Sequence, residues 1–130
     1  MTIPRSFDLI VFDWDGTLYD STVLIACCIQ AACADVGAPV PSLADASYVI
    51  GLGLADALRH VAPGLPESRY PELGLRYRHH YFARQHELSL FPGTLEMLHA
   101  LRALEGQIFK ERALLQEGVS GVYLNFEFVV

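Results

Sequence analysis

The sequence predicts an α/β protein in which a partial open-sheet core carries an inserted, all-helical cap, and three observations predict it. A β-rich run at residues 7–12 ends in Asp-Trp-Asp-Gly, residues 21–88 pattern as helix, and Leu90-Phe91-Pro92-Gly93 leads into one further amphipathic helix. The chain has 130 residues, 52% hydrophobic and 18% charged, which is one domain's worth of sequence with enough apolar matter for a core.

Taken in order, Phe7 to Phe12 reads as a buried strand whose end is marked by Gly16, a residue that permits a sharp change of direction. Asp20, Ser21 or Thr22 can cap the next helix, which runs to about Val36 and stops at Gly37, with Pro39 and Pro41 beyond. A second helical piece starts near Ser42, breaks at Gly51-Leu52-Gly53, resumes over Leu54 to Val61 and is closed by Pro63, Gly64 and Pro66. Tyr70, Leu73, Tyr77, Tyr81 and Arg84 at helical spacing predict one long helix from about Glu67 to His86. Thr94 can cap the following helix, with Leu95, Leu98, Leu101 and Leu104 on one face and Gly106 at its end. There an α/β layout needs a second parallel strand, but residues 107–118 pattern as a helix. Residues 119–130 alternate like a strand. The organisation expected is a partial core at 1–20 and 89–106, a helical cap at 21–88, and an atypical helix-plus-strand tail at 107–130.

Fifteen acidic against 9 basic residues give a net charge of −6, without the cluster of arginines that a nucleic-acid binder needs. The most apolar stretch, Val23 to Ala34, contains Gln30 and falls short of the ~20 residues of a bilayer span. No secretory signal opens the chain, so neither a nucleic acid nor a membrane is expected as partner, and a cytoplasmic location is. Cys27, Cys28 and Cys33 lack zinc-site or disulfide spacing and are expected as reduced core thiols.

Asp13 and Asp15, followed by Gly16 and Thr17 at the end of a buried strand, suit a nucleophile paired with a proton donor. Asp13 sits at the strand's carboxyl end, where open α/β sheets bind ligands, and can attack phosphorus. Asp15 can protonate the leaving alkoxide and then deprotonate the hydrolytic water. Two carboxylates repel a phosphate, so the site calls for a cation, and oxygen ligands with a phosphoryl group favour Mg²⁺. Backbone N–H groups at Trp14, Gly16 and Thr17, with the nearby helix N-terminus, would hold phosphate oxygens.

Asp13-Trp-Asp-Gly-Thr-Leu-Tyr-Asp-Ser21 resembles the first motif of the haloacid dehalogenase superfamily, and the helical stretch behind it resembles that superfamily's cap. Val-Ile-Gly51-Leu-Gly-Leu-Ala-Asp-Ala-Leu and Leu-Phe-Pro92-Gly93-Thr-Leu-Glu-Met-Leu look like its phosphoglycolate phosphatase-like branch. The resemblance runs over about residues 7–106. It implies an incomplete Rossmann-like core, Asp13 as nucleophile, Asp15 as acid/base, and Mg²⁺ bound by the Asp13 carboxylate and the Asp15 carbonyl. It also implies a small phosphorylated metabolite as substrate and a cap segment around Gly51 that faces it. The second aspartate favours phosphoester over halide chemistry, because a departing alkoxide must be protonated and a halide need not be. Arg59, Arg76 and Arg78 are candidates to meet an anionic substrate from the cap, while His79, His80 and His86 are expected as ordinary cap residues.

The family pattern next requires a strand ending in Ser or Thr, then a lysine, then an acidic pair. Here Lys110 is the only lysine, no aspartate follows Asp56, Ser120 comes after Lys110, and Glu111, Glu117 and Glu127 are scattered. A missing lysine beside the transferring group commonly costs ~10²-fold in rate, so an impaired phosphatase is expected. The rival is a non-catalytic remnant that binds phosphate or a partner protein. A first strand without its neighbours would expose sheet edges and an apolar face, inviting either pairing with the 119–130 segment or self-association. Residues 107–130 are expected to be foreign to the family through truncation or a shifted reading frame. Sequencing the coding DNA checks this: a family-like continuation should lie just out of frame, and its absence refutes the idea.

Overall fold

The computed structural model of the chain describes residues 9–103, 108–109 and 121–125. Its elements are β1 (Leu9–Asp13), α1 (Thr22–Asp35), α2 (Leu43–Tyr48), α3 (Leu54–Val61), α4 (Tyr70–Arg84), α5 (Thr94–Ala103), β2 (Ile108–Phe109) and β3 (Gly121–Asn125). Single 3₁₀ turns at Glu67–Arg69 and Gln85–Glu87 flank α4, so the long helix expected over 67–86 is an α-helix with tightened ends.

The three strands form one parallel sheet in the order β1-β3-β2. Residues 121–125 therefore pair with β1 inside the chain, Leu9 opposite Gly121 and Asp13 opposite Asn125. Residues 107–118 were expected to be helical, yet Ile108 and Phe109 form a strand beside Val122 and Tyr123. A β-branched residue and an aromatic fit a pleated surface, and that local preference overrides the helical pattern of the residues after them. Residues 110–120 and 126–130, with Lys110, Glu111, Glu117, Ser120 and Glu127, lie outside the described residues.

Among the described residues, apolar side chains collect in two separate clusters. The larger belongs wholly to the cap: Ile25, Ile29 and Cys33 of α1 pack with Val49, with Leu58 of α3, and with Leu73, Tyr77 and Tyr81 of α4. α1 is buried along most of its length because alanines and cysteines alternate with its larger residues, letting α2 and α4 approach from two sides. Cys28 and Cys33 are buried there and Cys27 is half-buried, all three as free thiols, and burial pushes the Cys28 thiol up to about 11. α1 ends as the glycine predicts: Gly37 adopts φ +70° and the Ala38 N–H returns to the Cys33 carbonyl at 2.9 Å. Ser42 caps α2 by accepting the Asp45 N–H at 3.0 Å.

The smaller cluster holds the core piece together through Leu18 and Leu98, with Ile10, Phe12, Trp14, Leu90 and Leu101 half-buried around them. Strand alternation turns Val11 the other way, and it stays 48% exposed. The leucine face expected on α5 is narrower than its spacing suggests. Leu98 is buried and Leu101 half-buried, but Leu95 is 53% exposed, since the cluster reaches only one stripe of the helix. Leu104 lies outside the described residues.

Core and cap join where two linkers run side by side. The Asp20 N–H donates to the Ser89 carbonyl and the Phe91 N–H to the Leu18 carbonyl, each at 2.9 Å, which makes Tyr19 and Leu90 an antiparallel bridge. Among the described residues no helix is long and apolar enough to cross a membrane.

Asp35 closes α1, where a carboxylate opposes the helix dipole, and two side chains of α4 offset it. Arg76 donates to Oδ2 from Nε at 2.7 Å and His80 Nε2 lies 2.7 Å from the same oxygen. These partners hold the Asp35 carboxyl below its ordinary 3.8, hydrogen bonding from His80 being the largest cause and Arg76 the next. A lowered pKa in the fold means stability present above the unfolded value and lost as pH falls through the folded one. Asp35→Asn is therefore expected to lower the thermal midpoint near neutral pH. The difference from wild type should vanish in acid, which thermal melts from pH 7 down to pH 2.5 would check.

Candidate active site

β1 is driven into the sheet by Leu-Ile-Val-Phe, and its last residue is Asp13, exposed where the strand ends. The chain then turns back on itself within a few residues. The N–H groups of Thr17, Leu18 and Tyr19 all point at the Trp14 carbonyl, at 3.2, 3.1 and 3.0 Å, and the Gly16 N–H donates to the Tyr19 carbonyl at 2.9 Å. Gly16 allows this with φ +77°. A Cβ there would stand 2.6 Å from Thr22 Cγ2, so the left-handed backbone and the crowding both require glycine.

This turn gives the two carboxylates different surroundings. Asp13 faces outward and accepts the Thr17 hydroxyl at 3.2 Å on Oδ2. Asp15 is buried and accepts the Ser21 hydroxyl at 2.7 Å on Oδ1. Burial raises the Asp15 pKa; the Ser21 hydrogen bond works against that, and the Asp13 charge adds to it. An exposed carboxylate beside one biased toward holding its proton is the division of labour that nucleophile and general acid require.

Ser21 is the residue whose role the sequence reading missed. It occupies the N-cap position of α1, as expected, but its backbone is helical and its side chain makes no cap bond. It is fully buried, and its hydroxyl turns to Asp15 because a hydrogen bond to a carboxylate outweighs one to a backbone N–H. The Tyr19 carbonyl, 3.3 Å from the same hydroxyl, is a second acceptor. Asp-Ser at the start of a helix reads first as a cap; only the fold back onto Asp15 reveals the pairing.

The other expected site residues fall as follows. Trp14 packs in the core cluster with its ring 5.0 Å from that of Tyr19. The amides of Gly16 and Thr17 are engaged inside the turn, so what these residues offer a ligand is loop shape and the Thr17 hydroxyl. Gly51 lies in the turn between α2 and α3, exposed at φ +106°, and no described hydrogen bond or ion pair joins it to the 13–21 loop. Arg59 pairs with Glu67 at 2.6 Å, and Arg76 is held by Asp35. Across the sheet, the position level with Asp13 is Asn125.

The donors present fit a hard cation. The Asp13 carboxylate is open, and among the described residues no N–H is directed at the Asp15 carbonyl, since the loop's hydrogen bonds go to Trp14 and Tyr19. Mg²⁺ commonly takes one or two protein oxygens and completes its shell with water and phosphate. Among the described residues no group of three His, Cys, Asp or Glu side chains converges.

The sheet, the aspartate pair at its first strand's carboxyl end and the helical insertion behind it make an incomplete α/β core with a helical cap. The haloacid dehalogenase-like hydrolase model matches residues 10–109, and the chain belongs to that family. It is 40% identical over 99 residues to the tyrosine-protein kinase PtkA of Mycobacterium tuberculosis, covering 75% of this chain and 33% of that protein. It is 38% identical over 103 residues to a phosphoglycolate phosphatase of Aliivibrio fischeri, covering 70% of this chain and 45% of that one. A haloacid dehalogenase-like family hydrolase from Streptococcus pneumoniae superposes with a TM-score of 0.66 at 28% identity, over 79% of this chain and 48% of that one. The chain thus spans between a third and a half of the length of the curated relatives named here.

Removing the Ser21 hydroxyl removes the one cause that lowers the Asp15 pKa. Ser21→Ala is expected to move the Asp15 titration further upward, with the fold retained. Carboxyl-carbon NMR across pH 2–9 would check it, and an unchanged or lower midpoint contradicts the assignment.

Proposed function

We propose that the chain hydrolyses a small phosphate monoester with Mg²⁺, in the manner of a phosphoglycolate phosphatase, through an aspartyl phosphate on Asp13. One observation carries the reading: a single turn holds an exposed carboxylate, Asp13, beside a buried one, Asp15, whose pKa burial raises. Asp13 Oδ attacks phosphorus and the bond to the ester oxygen breaks, with the Asp15 proton passing to the departing alkoxide. Water then attacks the phosphorus of the acyl phosphate, its proton returns to Asp15, and inorganic phosphate and the Asp13 carboxylate are released. The Asp13 carboxylate and the Asp15 carbonyl would hold Mg²⁺, which offsets the repulsion between two carboxylates and a phosphate. Thr17 orients Asp13, and Ser21 keeps Asp15 in place for both proton transfers.

Both kinds of named relative, phosphatase and kinase, transfer a phosphoryl group. The family's lysine and acidic pair have no evident counterpart in the sequence, because Lys110 stands alone and no aspartate follows Asp56. We therefore place the rate of this chain well below that of a complete enzyme. The convergence of only two acidic side chains at the described site favours, as second reading, a non-catalytic form that binds phosphate or a partner protein. Self-association belongs to this second reading, through the side of β1 away from β3.

The two readings separate on p-nitrophenyl phosphate. With Mg²⁺, slow turnover is expected, falling at least ~10²-fold in Asp13→Asn and disappearing when the metal is chelated. No turnover in either protein supports the non-catalytic reading. Turnover that survives Asp13→Asn overturns the assignment of the nucleophile.

A further inference from the structure

The cap contains a groove of about 260 Å³ between α3 and α4. Leu54, Leu58, Tyr70 and the bare backbone of Gly74 line it, together with the charged side chains of Arg59, Glu67 and Arg78. That volume suits a ring-sized molecule, and the lining combines apolar surface with an Arg59–Glu67 ion pair and the guanidinium of Arg78, a mostly apolar wall with a few polar groups as small-ligand sites have.

Of the three cap arginines that might meet an anion, the structure leaves one available. Arg59 also lines the groove, but its charge is matched by Glu67 at 2.6 Å and Asp56 at 3.7 Å. Arg76 is turned to Asp35 at the end of α1. Arg78 makes no ion pair among the described residues, and its Nη1 lies 3.8 Å from the place a Cβ on Gly74 would take. The guanidinium thus lies back along its own helix beside the glycine.

Gly74 supplies an independent observation. Glycine in mid-helix weakens a helix relative to alanine, and nothing in the packing here demands it. Its φ is not positive, and an added Cβ would meet Leu58 Cδ1 and Arg78 Nη1 only at ordinary contact distance, 3.8 Å. What the absent side chain provides is depth in the groove next to the Arg78 guanidinium.

We propose that this groove binds a small organic acid, its compact apolar body against Leu54, Leu58 and Gly74 and its anionic oxygens on Arg78. Carboxylates and phosphate esters share that chemistry, and a guanidinium donates a two-pronged pair of hydrogen bonds to the oxygens of either. The proposal does not depend on phosphoryl transfer at Asp13.

The test is an amide NMR titration of the full chain with benzoate, phenyl phosphate and the neutral benzyl alcohol. Benzoate, phenyl phosphate or both should shift amides in 54–59 and 70–78 saturably, with Kd of order 1–10 mM, and benzyl alcohol should bind about tenfold more weakly. Arg78→Gln should bring the acids down to the level of the alcohol. Gly74→Ala should weaken all ligands while raising the thermal midpoint, which separates a filled groove from a damaged fold. Asp13→Asn should leave the groove titration unchanged, so failure here and failure of the catalytic reading are seen separately. No saturable shift in these helices by about 20 mM overturns the proposal, as does binding that ignores both Arg78→Gln and Gly74→Ala. Shifts confined to residues 13–21 overturn it too, because they place the anion at the carboxylate loop.

Discussion

Everything in this molecule hangs on the short antiparallel contact between residues 18–20 and 89–91. Two hydrogen bonds, Asp20 to Ser89 and Phe91 to Leu18, close the long helical excursion at its base. Because outgoing and returning strands are fixed side by side, Ser21 emerges directly behind the turn and reaches Asp15, while Leu18 meets Leu98 of α5. Closing a loop of that length carries an entropic penalty that grows only slowly with size. The cap meets it by folding around its own apolar cluster, so a modest clasp suffices to seat it on the core.

The two clusters differ in kind. α1 and α4 give the cap an interior of large and small side chains interleaved, with Tyr77 and Tyr81 stacked 6.0 Å apart against it. Among the described residues the α/β piece buries Leu18 and Leu98, and its first strand shows Val11 on the opposite face. The candidate site sits on the α/β piece, on the turn after β1, which backbone hydrogen bonds to the Trp14 carbonyl hold together. Burial of Asp15 in that turn sets its proton affinity, and Ser21 restrains the shift.

The helical segments were legible because their signals are local. Glycine and proline mark the ends of α1 and α3, Ser42 caps α2, and the aromatic spacing of Tyr70, Tyr77 and Tyr81 fixes the buried face of α4. The Asp13-x-Asp15-Gly16 turn was equally legible, since its spacing and its required left-handed glycine are properties of neighbouring residues. The strand at Ile108–Phe109 was not, because two residues carry no periodicity and their neighbours pattern as helix. Leu95 misled for the opposite reason: its spacing is right, but burial depends on what another element brings to that face.

By itself, then, the sequence determined the aspartate pair of the first loop, the family motif around it and the course of the cap helices, all of which follow from contacts within a few residues. Only the tertiary structure decided which side chains act on that pair. It took the Ser21 hydroxyl from the helix cap to Asp15, drew Arg76 to Asp35, left Arg78 beside an apolar groove, and set residues 121–125 against β1. Proton affinity, ion pairing and strand partnership all depend on groups distant in the chain. No periodicity records them, and they come into being only when the elements pack.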